Sequence, residues 1–367
     1  MRQTPLIQQH RANGAKLVDF AGWEMPIQYS GVVDEYHTVR SHVGLFDVSH
    51  MGRMRIAGTG AVSFLQRVTT NDVGKLAVSQ AQYSMVCNEN GGIKDDIFVY
   101  RLDPDEFLLC VNASNREKIL SWLQSQPIQD GMVRLEDRSV ELSQVAVQGP
   151  KSRELLMSLG VTVLEGLKLH HACDATIGGL SCLLARTGYT GELGYEIYID
   201  ADKVSRLWDL LVDKGQAWGL KPVGLGARDL LRLEMGYLLY GNDMGEDTTP
   251  LEANADWTVS FQKGWFVGSQ ALLAQKQAGV ARRFVAFELV EKAVPRHGFR
   301  ILDPATSRPI GDVTSGNLSP LLQKGIGLGY VPVSFAEHGT SILIEIRSKN
   351  VPAHIVKPPF YKKPKSI

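Results

Sequence analysis

The sequence lacks the features that define several classes of protein. No apolar run approaches the roughly 18 residues that a membrane-spanning helix requires. Lys and Arg total 39, as do Asp and Glu, so the net charge is zero, whereas a protein that neutralises many phosphates needs excess positive charge. The N-terminal segment has neither the apolar core of a signal peptide nor the basic, serine-rich pattern of a transit peptide. We therefore predict a cytoplasmic protein that binds neither membranes nor nucleic acids.

Cysteine is scarce, and several familiar site motifs are missing. The chain has four cysteines; none has CxxC spacing and three lie in apolar, strand-like runs, which predicts buried reduced thiols. The pairs His37 with His42 and His170 with His171 show no metal-ligand spacing, so we predict no metal site. There is no GxxxxGK[ST] phosphate loop, and the glycines of Gly224–Gly226 lack the third glycine of a dinucleotide fingerprint, which argues against nicotinamide and flavin cofactors.

The composition is that of a globular protein with more than one domain. Hydrophobic residues make up 44% and charged residues 21% of the chain, which is ordinary for a folded protein. With 367 residues, the chain is too long for one small core. Apolar residues at helical spacing predict a helix over Ala201–Lys214. Another helix is predicted over about 114–123, capped by Asn112 or Ser114. From about residue 280 onward, short strands separated by turn residues predict a small all-β domain.

The most informative segment is Asn88–Tyr100, which reads NENGGIKDDIFVY. Its two glycines have no Cβ and so permit a tight turn or a close approach to another group. Asp95 and Asp96 follow where a half-buried strand begins, and adjacent strand residues point to opposite faces, so the two carboxylates are not expected to share one pocket. If Asp96 shares a face with Phe98 and Tyr100, it lies on an aromatic surface suited to a flat heterocycle. A solvated turn before a hairpin strand is the alternative.

Two further segments carry candidate binding groups. The loop 186–196 places three glycines, two tyrosines and an Arg between two strands, and Glu196 at its end needs a partner or a ligand donor if it faces inward. A glycine-rich hairpin turn is the alternative. Arg228 lies in the segment GLGARD that opens a helix, and its planar guanidinium can pair with a carboxylate. An ordinary helix face, with Arg side chains paired to neighbouring acids, is the alternative there.

A long series of short motifs occurs in a fixed order along the chain. These motifs are TPL (Thr4–Leu6), DFAGWEMP (Asp19–Pro26), GLFDVSHMG (Gly44–Gly52), TTND (Thr69–Asp72), QYS (Gln82–Ser84), NENGGIKDDIFVY, QGP (Gln148–Pro150), RTGYTGELGYEI (Arg186–Ile197), GLGARD (Gly224–Asp229), RLEMGYLLYGND (Arg232–Asp243), VTSGNLSP (Val313–Pro320) and PPFY (Pro358–Tyr361). In this order and spacing the chain resembles the aminomethyltransferase (T-protein) family of the glycine cleavage system along nearly its whole length. The set is highly specific, although each motif alone is weak.

The resemblance implies an α+β fold, the three-domain cloverleaf folate-binding aminomethyltransferase fold with a C-terminal all-β barrel-like domain. The implied parts are a discontinuous folate-binding α/β domain of residues 1–52 and 140–262, an inserted α/β domain of residues 53–139 that carries the Asp96 loop, a linker of residues 263–279, and a C-terminal β-barrel-like domain of residues 280–367.

The resemblance also implies a site for tetrahydrofolate, bound as a co-substrate and without a metal. Asp96 is the implied catalytic residue, placed beside the 10-nitrogen of the folate, while Glu196 binds the pterin and Arg228 joins it. The other implied cofactor-binding residues are Tyr83, Met51, Tyr100, Tyr189, Tyr237, Trp257 and Asn112, with Tyr361 a weaker match. Lys94 replaces an aliphatic residue that is common in the family, and we expect it to point away from the Asp96 face.

The implied reaction begins with an aminomethyl group on the dihydrolipoyl arm of H-protein, the implied partner. Ammonia is released and the methylene passes to tetrahydrofolate, giving 5,10-methylenetetrahydrofolate. A tetrahydrofolate-dependent demethylase is an alternative with the same fold and pterin site. The folate module of a dimethylglycine or sarcosine oxidase is disfavoured because no flavin fingerprint or extra domain is present. A non-enzymatic folate-binding factor of iron–sulfur assembly carries a characteristic cysteine, which the segment Tyr237–Met244 lacks.

Overall fold

The chain forms two compact units. The computed structural model describes residues 1–127 and 132–362. The first unit comprises residues 1–86 and 95–228, and the second comprises residues 87–94 and those from 229 onward. The short segment 87–94 therefore interrupts the first unit in sequence. This division is coarser than the three-domain scheme, whose boundaries stay a prediction.

Eight α-helices occur within the described residues. They are α1 (Ile7–Ala12), α2 (Val32–Ser41), α3 (Ala61–Val68), α4 (Arg116–Ser125), α5 (Ser152–Ser158), α6 (Val204–Gly215), α7 (Leu225–Met235) and α8 (Ser269–Ala278). Among them, none has the length and apolar character that crossing a membrane requires.

The strands are short and run through both units. They are β1 (Lys16–Phe20), β2 (Trp23–Gln28), β3 (Val43–Asp47), β4 (Gly52–Ala57), β5 (Ala81–Cys87), β6 (Ile93–Asp103), β7 (Glu106–Val111), β8 (Arg134–Asp137), β9 (Leu142–Gln148), β10 (Ala172–Ile177), β11 (Leu180–Ala185), β12 (Gly194–Asp200), β13 (Leu220–Pro222), β14 (Arg282–Leu289), β15 (Arg300–Leu302), β16 (Pro309–Ser319), β17 (Lys324–Pro332), β18 (Ser341–Ile346) and β19 (Lys349–Val356).

Two sheets of the first unit position the candidate acids. One has the strand order β10-β11-β12-β9-β3-β13, in which β13 pairs with β3 in parallel. The other has the order β5-β6-β7-β4-β8. Glu196 lies on β12, between β11 and β9, and Asp96 lies on β6, between β5 and β7. Because interior strands are hydrogen-bonded on both sides, both carboxylates stand on rigid elements.

Helix α6 shows how the apolar pattern forms the core of the first unit. Val204, Leu207, Trp208 and Leu211 recur at helical spacing, and all four are buried in one cluster with the apolar face of the six-stranded sheet. The predicted helix face is therefore confirmed. The helix begins at Val204 rather than Ala201, because the three residues before it form a turn.

The second unit contains the all-β domain that the sequence predicts near its C-terminal end. Six strands close into a barrel in the order β14-β17-β16-β15-β18-β19, and β19 pairs back with β14. Alternating apolar side chains, such as Val285, Phe287 and Leu289 on β14, fill its interior. Closure leaves no free sheet edge, which makes a barrel of short strands stable.

Candidate functional site

Asp96 lies on strand β6, where burial alternates along the chain. Asp95 is fully buried and Asp96 is half-buried, so the two acids point to opposite faces, as strand geometry predicts. The Tyr83 hydroxyl donates to Oδ2 of Asp96 at 2.8 Å, and the Asn112 side-chain amide donates to Oδ1 at 2.6 Å. These two donors, one on each oxygen, fix the orientation of the Asp96 carboxylate.

Asn112 connects the two acids. Its side-chain amide donates to Asp95 Oδ1 at 2.8 Å as well as to Asp96, and its backbone N–H donates to Asp95 Oδ2 at 3.0 Å. The prediction that Asn112 or Ser114 caps the following helix is wrong. A 3₁₀ turn over Ala113–Asn115 follows Asn112, and helix α4 begins only at Arg116. The amide of Asn112 is instead used by the two carboxylates.

Asp95 supports the site from behind the strand. Besides the two bonds from Asn112, it accepts one from the Asn115 side-chain amide at 2.6 Å. Burial, followed by the charge of Asp96, raises the pKa of Asp95, and the amide donors oppose that rise. Asp95 therefore holds Asn112 and Asn115 in place from the buried side of the strand.

Aromatic side chains extend the Asp96 face. Phe98 lies with its ring centroid 5.8 Å from that of Tyr83 and 6.0 Å from that of Tyr100, and Met51 packs against the same cluster. Burial and the Asp96 charge raise the pKa of Tyr83 well above its ordinary value. The Tyr83 phenol therefore stays protonated and donates to Asp96. The expected aromatic surface beside Asp96 is present.

Glu196 lies half-buried on strand β12 and has two side-chain partners. Gln144 Nε2 donates to Oε1 at 3.0 Å, and the Thr187 hydroxyl donates to Oε2. The need for a partner, inferred from its position in an apolar strand, is thus met within the protein. Because an ionised carboxylate accepts about four hydrogen bonds, about two acceptor positions remain for a ligand.

Arg228 stacks on an aromatic ring of the glycine-rich loop. Its guanidinium carbon lies 4.8 Å from the centroid of the Tyr189 ring, a cation–π arrangement. Burial lowers the pKa of Arg228, while the Glu196 carboxylate opposes this. Arg228, Tyr189 and Glu196 therefore belong to one part of the first unit.

The start of helix α7 is fixed by a buried acid. Glu35 accepts from the Gly224 backbone N–H at 2.8 Å, immediately before the helix that carries Arg228. The helix-face ion pair considered as an alternative for this segment is made by Arg232, whose Nη2 lies 2.7 Å from Asp229.

His50, in the GLFDVSHMG motif, is buried and provides a pH prediction. Burial lowers its pKa to about 3, with the Arg228 and Arg53 charges acting in the same direction and Asp47 opposing them. Below the ordinary histidine pKa near 6.5, the unfolded chain binds a proton that the folded chain does not. Stability therefore falls as the pH drops from 6.5 toward 3. His50→Gln should remove about 2 kcal/mol of the loss between pH 7 and pH 5 in urea unfolding.

The control for this prediction is His338→Gln, because His338 is exposed. That variant should keep the wild-type dependence of stability on pH. An unchanged dependence in His50→Gln as well would contradict the assignment of the effect to His50.

The loop before Asp95 belongs to the second unit and explains the glycine pair. Gly91 has a φ of 82°, a value that favours glycine. A Cβ on Gly92 would lie 1.9 Å from the carbonyl oxygen of Glu246. Asn88 completes the turn, because its Oδ1 accepts from the Gly92 N–H at 2.9 Å and its Nδ2 donates to the Glu246 carbonyl at 3.2 Å. Both expected uses of glycine, the tight turn and the close approach, are confirmed.

The expectation for Lys94 is wrong. Residues two apart on a strand point the same way, and Lys94, Asp96 and Phe98 are the half-buried positions of β6 between buried neighbours. Lys94 therefore points to the same face of β6 as Asp96. Its Nζ lies 3.1 Å from Glu246 Oε2, so the ammonium is paired within the second unit.

Gly92→Ala should destabilise the protein and lower its activity. The obstructing atom is a backbone carbonyl that cannot rotate away, so the loop must shift at a cost of about 1–3 kcal/mol. Urea unfolding measures the cost, and a transfer assay measures the effect on the adjoining Asp96 strand. Gly166→Ala is the control, since the nearest atom to its added Cβ lies 4.0 Å away. Equal stability of the two variants would contradict the close-approach argument.

Comparison with known proteins identifies the family. Residues 6–263 match the family model of the GCVT N-terminal domain, and residues 282–362 match that of the glycine cleavage T-protein C-terminal barrel domain. The chain belongs to the glycine cleavage T-protein family. The relatives named aminomethyltransferase include one from Halothermothrix orenii, 45% identical over 98% of this chain and 100% of the relative, and one from Chloroherpeton thalassium, 46% identical over 99% of each.

A solved T-protein agrees with the fold. The crystal structure of glycine cleavage system aminomethyltransferase T from Bartonella henselae is similar to this chain, with a TM-score of 0.91, 34% sequence identity and coverage of 98% of each chain. The mixed helix and sheet fold with a C-terminal barrel is therefore that of the T-protein family, and the chain is a family enzyme of the aminomethyltransferase class.

The family resemblance names residues that fall in both units. Met51, Tyr83, Tyr100, Tyr189, Glu196, Arg228, Asp96 and Asn112 lie in the first unit, and Tyr237, Trp257 and Tyr361 lie in the second. Tyr100 is 1% exposed, with its hydroxyl engaged by other side chains. Trp257 is 65% exposed and Tyr237 is 37% exposed. Over residues 1–127 and 132–362, no three His, Cys, Asp or Glu side chains gather in a group that could hold a metal.

Sequence reasoning missed several partners of the site acids. Gln144 and Thr187 donate to Glu196, Tyr198 accepts from Gln144, and Asn115 supports Asp95. A signal was available for Gln144, since it stands in the strand LSQVAVQ, whose other face carries buried valines. A polar residue inside such a strand needs a buried partner. Thr187 carried no comparable signal, because a threonine in a glycine-rich loop is ordinary.

Proposed function

We propose that this chain catalyses the aminomethyltransferase step of glycine cleavage. The aminomethyl group arrives on the dihydrolipoyl arm of H-protein, ammonia is released, and the methylene passes to tetrahydrofolate as co-substrate to give 5,10-methylenetetrahydrofolate. The observation that carries this proposal is the half-buried Asp96 carboxylate, held by Tyr83 and Asn112 beside an aromatic surface. Full-length similarity to relatives named aminomethyltransferase supports the same function.

Asp96 is the catalytic residue of this proposal. Tyr83 and Asn112 bind one oxygen each, so the carboxylate is oriented before any ligand arrives and needs no rearrangement. A fixed negative charge stabilises positive charge that develops on a nearby nitrogen or iminium carbon. The same oxygens can hold or relay a proton. Holding two reactants in this orientation supplies a large part of the rate, because the reaction becomes effectively unimolecular.

Glu196 is the pterin-binding residue of this proposal. Its remaining acceptor positions suit the amino and ring N–H groups at the donor edge of a pterin. The Arg228–Tyr189 stack contributes a flat cationic surface, and Met51 with Phe98 contributes apolar area. These donors and acceptors fit a folate and need no metal. The proposed folate-binding set is completed by Tyr83, Tyr100, Tyr237, Trp257 and Asn112.

The proposal extends to organisation and location. The three-domain scheme is supported by the separate six-stranded and five-stranded sheets and the barrel, and lipoylated H-protein is the proposed partner. A cytoplasmic location and the absence of membrane and nucleic-acid partners are proposed with it.

The decisive experiment uses purified protein and H-protein loaded with the aminomethyl group. We expect ammonia release that accelerates when tetrahydrofolate is added, together with 5,10-methylenetetrahydrofolate as product. Formation of 5-methyltetrahydrofolate from a methyl donor would instead indicate a demethylase. Tetrahydrofolate binding without turnover of either donor would indicate the non-enzymatic alternative. Either outcome would overturn the proposed reaction.

A further inference from the structure

Glu196 belongs to a closed ring of buried hydrogen bonds inside the first unit. Gln144 Nε2 donates to Glu196 at 3.0 Å and to the Tyr198 hydroxyl at 3.1 Å. The Tyr198 hydroxyl donates to that of Tyr100 at 3.1 Å, and the Tyr100 hydroxyl lies 3.2 Å from the Thr187 hydroxyl. Thr187 closes the ring by donating to Glu196. Apart from the half-buried Glu196, every member is at most 3% exposed.

The chemistry of the members allows one direction around this ring. Each hydroxyl has a single proton. Because Thr187 gives its proton to Glu196, the Tyr100 hydroxyl must donate to Thr187, and Tyr198 must donate to Tyr100. Gln144 uses both amide protons, one on Tyr198 and one on Glu196. Both branches of the ring therefore end as donors at the Glu196 carboxylate.

Two further observations keep this direction fixed. The Cys110 thiol lies 3.5 Å from Gln144 Oε1 and donates to it, so the Gln144 amide cannot reverse without facing the thiol with its N–H groups. Burial, and then charged or polar neighbours that include Glu196, raise the pKa of Tyr100 and of Tyr198 well above the ordinary value. Both phenols therefore stay protonated and remain donors.

We propose that Thr187, Tyr100, Tyr198 and Gln144 are positioning residues that hold Glu196 as an acceptor-only carboxylate and so select a ligand edge with two neighbouring N–H donors. This inference rests on the proposed function and adds specificity residues to it. A carboxyl group with a proton would instead donate to a ligand carbonyl or ring nitrogen. The two ring donors that reach Glu196, Gln144 Nε2 and the Thr187 hydroxyl, each point at one of its oxygens. The carboxylate then offers acceptor positions only, so the ligand must supply donors.

Binding measurements with two ligands test the ring. One ligand is tetrahydrofolate, and the other is an analogue in which a methyl group replaces the 2-amino group and removes its N–H donors. Thr187→Val retains the shape and removes the proton. We expect its affinity for tetrahydrofolate to fall about tenfold, as for a lost bond to a charged group, while its affinity for the analogue changes little. The preference for tetrahydrofolate should therefore shrink.

Three more variants separate positioning from general damage. Thr187→Ser keeps the hydroxyl and should restore the wild-type preference, and Tyr198→Phe breaks the opposite side of the ring and should reduce it. Thr38→Val is the control, because the Thr38 hydroxyl donates to the Asp34 carbonyl within helix α2, and it should leave both affinities unchanged. In the transfer assay Thr187→Val should raise KM for tetrahydrofolate more than it lowers kcat.

Two results would overturn the inference while leaving the proposed function in place. One is a wild-type ligand preference in Thr187→Val, and the other is an equal loss in Thr187→Ser and Thr187→Val. Failure of the unaltered protein to bind tetrahydrofolate would overturn the proposed function itself, and the inference with it.

Discussion

Asp96→Asn should reduce the single-turnover rate of methylene transfer by at least about 100-fold while tetrahydrofolate still binds. The geometry explains why binding should survive. An Asn at this position can still accept from Asn112 through its oxygen, and its amide can donate to the Tyr83 hydroxyl. The shape of the site is thereby retained, and only the negative charge and the proton acceptor are lost.

The measurement compares equilibrium binding of tetrahydrofolate with single-turnover transfer from loaded H-protein. Asp174→Asn is the matched control, since it makes the same change at an exposed position of the first unit. It should transfer at the wild-type rate. Transfer by Asp96→Asn at a comparable rate would remove Asp96 from the chemistry.

Glu196→Ala should weaken tetrahydrofolate binding by about 100-fold, since two hydrogen bonds to a charged group are lost. The loss extends beyond the ligand contacts. Without the carboxylate, the Thr187 hydroxyl and one N–H of Gln144 have no acceptor, and both groups are buried. Stability should therefore fall as well, by about 1–3 kcal/mol for buried donors left unsatisfied.

Titration calorimetry well below the unfolding temperature, where the variant is fully folded, measures the loss of tetrahydrofolate binding separately from the loss of stability. At tetrahydrofolate concentrations above the new Kd, transfer should recover much of its rate, because Asp96 is unchanged. Glu165→Ala removes an exposed glutamate of the first unit and is the control. An unaltered Kd for tetrahydrofolate in Glu196→Ala would contradict the proposal that Glu196 binds the pterin.

Much of this site could be predicted from sequence because strand geometry is a local property. The opposite orientation of Asp95 and Asp96 follows from the pleat, and the aromatic surface follows from residues at alternate positions of the same strand. The two uses of glycine before the strand follow from the missing Cβ. The barrel follows from the spacing of short strands and turns.

The predictions are wrong where several partners compete for the same side chain. Asn112 precedes a helix and has the chemistry of a cap, yet its amide bonds to two acids on another strand. The prediction for Lys94 is wrong, although the alternation that predicts the face of Asp96 applies equally to Lys94. Arg228 and Arg232 share one helix, and only the folded chain shows that Arg228 stacks on Tyr189 while Arg232 pairs with Asp229.

The sequence by itself determined the family, the opposite orientation of Asp95 and Asp96 on their strand, and the elements that carry the candidate residues. The tertiary structure decided how those residues are held. The ring around Glu196 joins side chains from three strands and a loop, and the Tyr198 and Tyr100 hydroxyls meet across 98 positions of sequence. Local propensity carries no information about such contacts, because they form only when two sheets pack. Hydrogen bonds between residues so far apart in the sequence are therefore decided by the packing of the core.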